Sequence, residues 1–177
     1  MEFTVNNERT IFMKEIALEN LEFNPWTKIG KEWFLISCGD EKGYNMMTAS
    51  WGFMGEMWGK NVIETVVRHN RYTFEFMEKN DLFTVSFLPQ DKKEALRFCG
   101  AKSGRDCDKA KKSGLTPVFS DGTVTFSEAE LVFVCKKLYS DDFDLDRLGR
   151  DNRDKWYGTD PVHRRYYGEI VKVYTRG

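Results

Sequence analysis

Little in this sequence points to nucleic acid, membrane or metal. The 27 basic and 28 acidic residues give a formal net charge of −1, so there is no overall pull toward a polyanion or an anionic bilayer. No apolar run approaches the roughly 20 residues that span a bilayer. The four cysteines, Cys38, Cys99, Cys107 and Cys135, form neither a CxxC pair nor a zinc-ligand spacing with the two histidines. Neither GxGxxG nor GxxxxGK[ST] occurs, which removes the Rossmann fingerprint and the P-loop. Repeats, low-complexity stretches and Pro/Gly-rich linkers are also missing, so one domain over residues 1–177 is expected. The opening stretch MEFTVNNERTIFMKEIALEN carries acidic residues and lacks the apolar core of a secretory signal. The expectation is a cytoplasmic protein whose thiols stay reduced and pack as small hydrophobes.

What the chain has in quantity is aromatic residues, 15% of the total, which line flat-ligand pockets and subunit interfaces as well as cores. Strand patterns dominate. After a lead-in with one short strand, Trp33–Cys38 and Tyr44–Trp51 read as a hairpin with a loop of about five residues. Gly52, Gly55 and Gly59 suggest a bend. NVIETVV at 61–67 is β-branched and reads as a strand. Asn70 is placed to cap a helix over 71–79, and DLFTVSFL follows as a strand with Phe83, Val85 and Phe87 on one face. Short helices are expected at 92–99 and near 107–112, then strands around 118–119, 123–126 and 129–138, with Asp121-Gly122 as a hairpin turn. Residues 140–161 form a charged excursion with a helical turn or two. Tyr166–Tyr174 is the closing strand. Strands without regularly alternating long helices give a mainly β fold with peripheral helices, an antiparallel barrel rather than a doubly wound sheet.

Three segments carry candidate chemistry. The first is Asn45-Met46-Met47-Thr48-Ala49-Ser50-Trp51, ending before Gly52, where hydroxyls, a small residue and backbone amides suit an anion or the polar edge of a flat ring. The same hydroxyls would also suit the polar face of a strand. The second is Arg68 with Arg71 and Thr73 at a helix start, a phosphate site in kind or a pair of solvated arginines. The third is Lys102-Ser103-Gly104-Arg105-Asp106 with Lys109, either a loop closing over a phosphate or an exposed capping loop with Asp106 as the cap.

Together these blocks resemble the flavin-reductase-like domain family. The likeness runs from Pro25…Lys31-x-Trp33-x-Leu35-Ile36 through Asn45-x-Met47-Thr48-Ala49-Ser50-Trp51-Gly52 and Arg68…Arg71-Tyr72-Thr73. It continues in Cys99-Gly100-x-x-Ser103-Gly104-Arg105-Asp106-x-Asp108-Lys109 and ends in His163-Arg164-x-Tyr166-x-Gly168-Glu169-Ile170. The resemblance implies an FMN-binding split β-barrel working as a homodimer, with FMN held noncovalently near the dimer interface. Thr48, Ser50 and Arg71 are then expected on the ribityl-phosphate, with Arg68, Ser103, Gly104 and Lys109 nearby and Arg97 outside the site. His163 is either structural or a catalytic residue bordering the nicotinamide site. The implied activity is reduction of a flavin, metal complex or redox protein, with a reduced nicotinamide or a redox protein as donor. A non-enzymatic FMN electron carrier is the alternative. A barrel for another flat cofactor such as haem ranks lowest, because only His69 and His163 could serve as axial ligands.

Overall fold

The computed structural model describes residues 2–3 and 11–176. In chain order its elements are β1 (Glu2–Phe3), β2 (Ile11–Ile16), α1 (Pro25–Thr27), β3 (Phe34–Asp40), β4 (Gly43–Ala49), β5 (Gly52–Met57), β6 (Lys60–Arg68), α2 (Tyr72–Lys79), β7 (Leu82–Phe87), α3 (Lys93–Ala101), α4 (Lys109–Ser113), β8 (Pro117–Ser120), β9 (Thr123–Phe126), β10 (Leu131–Asp142), α5 (Arg150–Tyr157) and β11 (His163–Arg176). No helix among the described residues is long and apolar enough to cross a membrane.

Strand pairing is antiparallel throughout and follows the path β1-β2-β11-β10-β7-β3-β4, with β6 added to β11 and β5 to β6. The long strand β11 explains this branching. One edge pairs with β10 along its length. Its other edge is shared, residues 163–169 bonding to β6 and residues 173–176 to β2. Two register shifts in the β10–β11 ladder, at Val134/Cys135 and Lys137/Tyr139, bend the ribbon where it curls. The sheet does not close, because β4 and β6 are not paired. The chain crosses this split at Ser50–Trp51, leaving β4 and entering β5.

Period-2 alternation decides which side chains fill the barrel. Phe34, Ile36 and Cys38 meet Phe83, Val85, Phe87, Phe133 and Cys135 inside it. The opposite set, Leu35, Val132, Val134 and Tyr174, packs outward with Leu96, Cys99, Ala110, Leu115 and Phe126 from the covering α3, α4 and β8–β9 region. The Phe83/Val85/Phe87 face therefore stands as read.

Several local expectations are corrected. The β3–β4 turn is two residues, Glu41-Lys42, because Gly39 at φ 115° folds the strand end back: a Cβ there would lie 2.3 Å from the Gly43 carbonyl oxygen. Residues 52–57 form a strand rather than a bend, since pairing with β6 outweighs the glycines. Arg71, not Asn70, is the extended residue before α2, and its side chain caps nothing. Asp108, not Asp106, caps α4 and accepts from the Lys111 amide at 3.0 Å. The lead-in holds two described strand segments rather than one. The charged excursion is shorter than its sequence suggests, because β10 runs on to Asp142, where Arg164 and Arg165 ion-pair with Asp142 and Asp141.

Candidate functional site

Several grooves meet at the split, among them one of about 340 Å³ lined by Ile29, Ser50, Trp51, Phe53, Glu64 and Phe143. The central one, about 360 Å³, is lined by Met47, Thr48, Ala49, Ser50 and Trp51 from β4 and its exit, by Val66 and Arg68 from β6, and by Arg71, Trp156 and His163. A smaller pocket of about 100 Å³ continues from Met47 and Arg71 toward Asn45, Thr73, Ser103, Gly104 and Lys109. On the other side of Thr48–Ser50 lies a groove of about 310 Å³ lined by Trp33, Leu96, Arg97 and Gly100.

The small pocket gathers hydrogen-bond donors around a buried cation. Asn45 and Thr73 are buried, and the Asn45 amide donates to the Thr73 hydroxyl at 2.8 Å. Gly104 is packed so tightly on them that a Cβ would sit 2.2 Å from Asn45 Oδ1 and 3.1 Å from the Tyr72 ring. Lys109 is only 4% exposed. Its ammonium donates to the Cys99 carbonyl at 3.0 Å, and no carboxylate lies within ion-pair distance among the described residues. Burial first, and then the neighbouring Arg71 charge, hold its pKa below the ordinary lysine value. The α2 amino terminus beside it has no side-chain cap; the Phe74 amide donates to the Arg71 carbonyl at 3.0 Å, which leaves the Tyr72 and Thr73 amides as donors.

The far end of the central groove is aromatic, with the Arg68 guanidinium beside it. Trp51 meets Trp156 edge-on with centroids 4.8 Å apart, and its ring lies 5.3 Å from that of His163. His163 Nδ1 is 3.0 Å from the Tyr157 hydroxyl. Burial, followed by the Arg68 and Arg71 charges, pushes the imidazole down to about 4, so it is neutral at pH 7. Arg68 ties α5 over the groove by donating to the carbonyls of Pro161 at 2.7 Å and Trp156 at 3.0 Å, with its guanidinium 5.3 Å from the centre of the Tyr157 ring.

Residues 27–177 match the model of the flavin reductase like domain. The chain belongs to this family. Solved structures with the same split-barrel fold include a putative flavin reductase with split barrel domain from Shewanella frigidimarina, 22% identical over 82% of this chain and 67% of that one, with a TM-score of 0.65. An FMN-binding domain of a flavin reductases-like enzyme from Shewanella baltica is 13% identical over 99% and 79%, with a TM-score of 0.66. The NADH:FAD oxidoreductase of Streptomyces globisporus C-1027 is 16% identical over 82% and 75%, with a TM-score of 0.60. At these identities the likeness is one of fold. No match is found among curated proteins.

Within this family member the split gathers most of the sequence-nominated residues. Asn45, Met47, Thr48, Ala49, Ser50, Trp51, Arg68, Arg71, Thr73, Ser103, Gly104, Lys109 and His163 all line the central groove or the small pocket. The Thr48 hydroxyl is already engaged, donating to the Leu96 carbonyl at 2.6 Å. Met46 is turned the other way by strand alternation and packs in the outward core. Arg105 lines neither cavity; it ion-pairs with Glu75 and its guanidinium sits 4.7 Å over Tyr72. Arg97 lines neither of these two cavities and borders the groove beside Trp33. Sequence reasoning did not nominate Trp156 for the site, and it named Trp33 and Gly100 only as motif residues of the family resemblance. Trp156 was visible only as an apolar residue in a charged stretch, and nothing local says that the stretch folds back. Trp33 gives no warning of its backbone, held at φ 69° and ψ 171°, a region essentially reserved for glycine and costing on the order of 1–3 kcal/mol.

Proposed function

We propose that the cleft at the split binds FMN and that the protein is an oxidoreductase. It would pass electrons from a reduced nicotinamide to a flavin, a metal complex or a redox protein. The observation that carries this is Lys109: a buried ammonium without a carboxylate, beside Arg71 and uncapped helix amides, at the end of a groove with flat aromatic walls. A phosphate dianion supplies the missing charge, and a flat ring suits the Trp51–Trp156–His163 end. The pocket's 100 Å³ and its closure by Gly104 suit a terminal phosphate, which favours FMN over a flavin with an adenosine beyond it. Bound there, FMN would supply hydride acceptance and one- or two-electron release.

The chain's own groups would bind and orient. Arg71, Lys109, Ser103 and the α2 amides would hold the phosphate. Asn45 and Thr73 would fix the pocket floor through their mutual hydrogen bond. Trp51 and Trp156 would wall the ring end against water. Neutral His163 would border the ring without adding charge, with Tyr157 setting its orientation. The related NADH:FAD oxidoreductase from Streptomyces globisporus supports a nicotinamide donor.

The expected result is that the yellow protein bleaches within seconds on anaerobic addition of NADH or NADPH, and that mass spectrometry of the released chromophore gives FMN. A flavin reduced by dithionite or a redox protein but not by nicotinamide would establish the electron-carrier reading instead. Stoichiometric FAD would refute the cofactor choice. We also propose a homodimer. Phe53, Met57 and Trp58 are exposed on and just beyond β5, close to half-exposed Tyr139, and a partner chain would cover this apolar patch. A concentration-independent monomer mass by light scattering would exclude it.

A further inference from the structure

The groove of about 340 Å³ that runs from Ser50–Trp51 onto β5 and β6 takes no part in the reading above, and it holds a charge in an unusual place. Ile63 and Val67 of β6 point into the barrel, so strand alternation turns Glu64 and Val66 outward into this groove. Glu64 is only 9% exposed and is the one charged residue of the lining. Across the sheet it lies between Phe53 of β5 and Tyr167 of β11. Trp51, Phe53 and Phe143 supply three aromatic rings to the wall, and Ile29 adds an aliphatic side chain.

The carboxylate is incompletely matched. The Tyr167 hydroxyl donates to it, and burial followed by this bond raises the Tyr167 pKa, so the phenol keeps its proton. One neutral hydrogen bond does not offset the desolvation of a charge. Among the described residues no lysine, arginine or histidine lies within ion-pair distance of Glu64. Arg165 feels its charge, but the Arg165 guanidinium is taken by Asp141 and rests 5.5 Å from the centre of the Phe143 ring. A glutamine at this position would accept from Tyr167 without carrying a charge, and strands disfavour glutamate. What the charge adds is a match for a positively charged ligand. Carboxylates pair with cationic N–H groups, and aromatic rings attract cations.

We propose that this groove binds a small organic cation, an ammonium or guanidinium group on an apolar body, with the charge at Glu64 and the body against Trp51, Phe53 and Phe143. Ser50, Trp51 and Val66 are shared with the central groove, so the ligand would have a wall in common with the cleft. The proposal does not depend on which flavin the cleft takes. Phe53 also belongs to the patch proposed for a partner chain, so the test uses the protein in the oligomeric state in which it is isolated.

The test is calorimetric titration at neutral pH with phenethylamine, which is then protonated, before and after saturation of the protein with FMN. Phenylethanol and phenylacetate are the neutral and anionic ligands of similar shape. FMN uptake is measured separately by fluorescence quenching and reports on the cofactor reading alone. The expected result is that the amine binds about tenfold more tightly than the alcohol in both states, with phenylacetate weakest. Glu64→Gln keeps an acceptor for Tyr167 and should abolish this preference while leaving FMN affinity at the parent value. If Glu64→Gln does not fold, Phe143→Leu takes its place and should weaken the amine more than the alcohol. Failure of the amine to bind, equal binding of amine and alcohol, or an unchanged preference in the folded variant would overturn the proposal. Loss of amine binding on FMN saturation would overturn it too, because the groove would then belong to the flavin.

Discussion

Lys109→Met should bind FMN at least tenfold more weakly than the parent and yet melt higher as the apoprotein. Both effects come from one buried ammonium. Without a carboxylate partner it is desolvated with little return, so replacing it by an apolar chain of similar length removes a penalty. With phosphate present the same charge is a strong donor. A hydrogen bond to a charged group contributes about 1.5–3 kcal/mol, or roughly ten- to 150-fold in affinity. The pH dependence follows with its sign. The folded apoprotein holds the Lys109 pKa below its ordinary value of 10.5. Between those two values the unfolded chain binds more protons, so apoprotein stability should rise with pH across that window. FMN should flatten this slope, because the phosphate favours the charged amine. Arg71→Ala should also weaken FMN, but without raising the apoprotein melting temperature, since Arg71 is exposed. Lys14→Ala, on β2, is the control and should change neither quantity. Parent-like FMN affinity in Lys109→Met would remove the phosphate from this pocket.

The second large effect concerns the barrel itself. Gly168→Ala should cost about 1–3 kcal/mol, as overpacking of a tight core does. Gly168 lies on β11 opposite Ile63 of β6 and Lys137 of β10, where the ribbon bends. A Cβ there would come within 2.5 Å of the Phe83 ring and 2.8 Å of the Cys135 Cβ, both completely buried. Gly30→Ala makes the matched comparison, since its added methyl would meet open space. Urea titrations should show a lower midpoint for Gly168→Ala alone. Phe83→Leu in the Gly168→Ala background should recover part of the loss, a non-additive coupling expected of touching residues. Equal midpoints for the two alanine variants would mean that the bend tolerates a side chain.

How far the sequence discloses the molecule depends on how local each signal is. The strands β6, β7 and β9 are legible because β-branched or aromatic alternation is a property of consecutive residues. The strand β5 is not, because its glycines read as a bend and only its partner β6 holds it extended. At the site, the block from Asn45 to Trp51 is visible as a run of hydroxyls and small residues. Alternation within it sends Met46 to the opposite face, a distinction that requires knowing which face is core. Arg105 looked like one more cation in a basic loop, but pairing with Glu75 takes it elsewhere. The part that could not be read is Trp156. Its place beside Trp51 depends on Arg68 capturing the Trp156 and Pro161 carbonyls across a separation of about ninety residues, and no local pattern encodes that.

The shared edge of β11 also orders events during synthesis. The small pocket is outlined by residues 45–109, but His163 and the anchored Trp156 of the central groove are supplied by the segment translated last among the described elements. Until that strand emerges, β6, β10 and β2 each lack a neighbour that they all obtain from it. A nascent chain stalled before residue 163 therefore presents three open edges at once, a substrate for chaperones rather than for a cofactor. If the cleft takes FMN as proposed, uptake should await the emergence of β11 and lag behind synthesis in a cell-free reaction supplied with FMN.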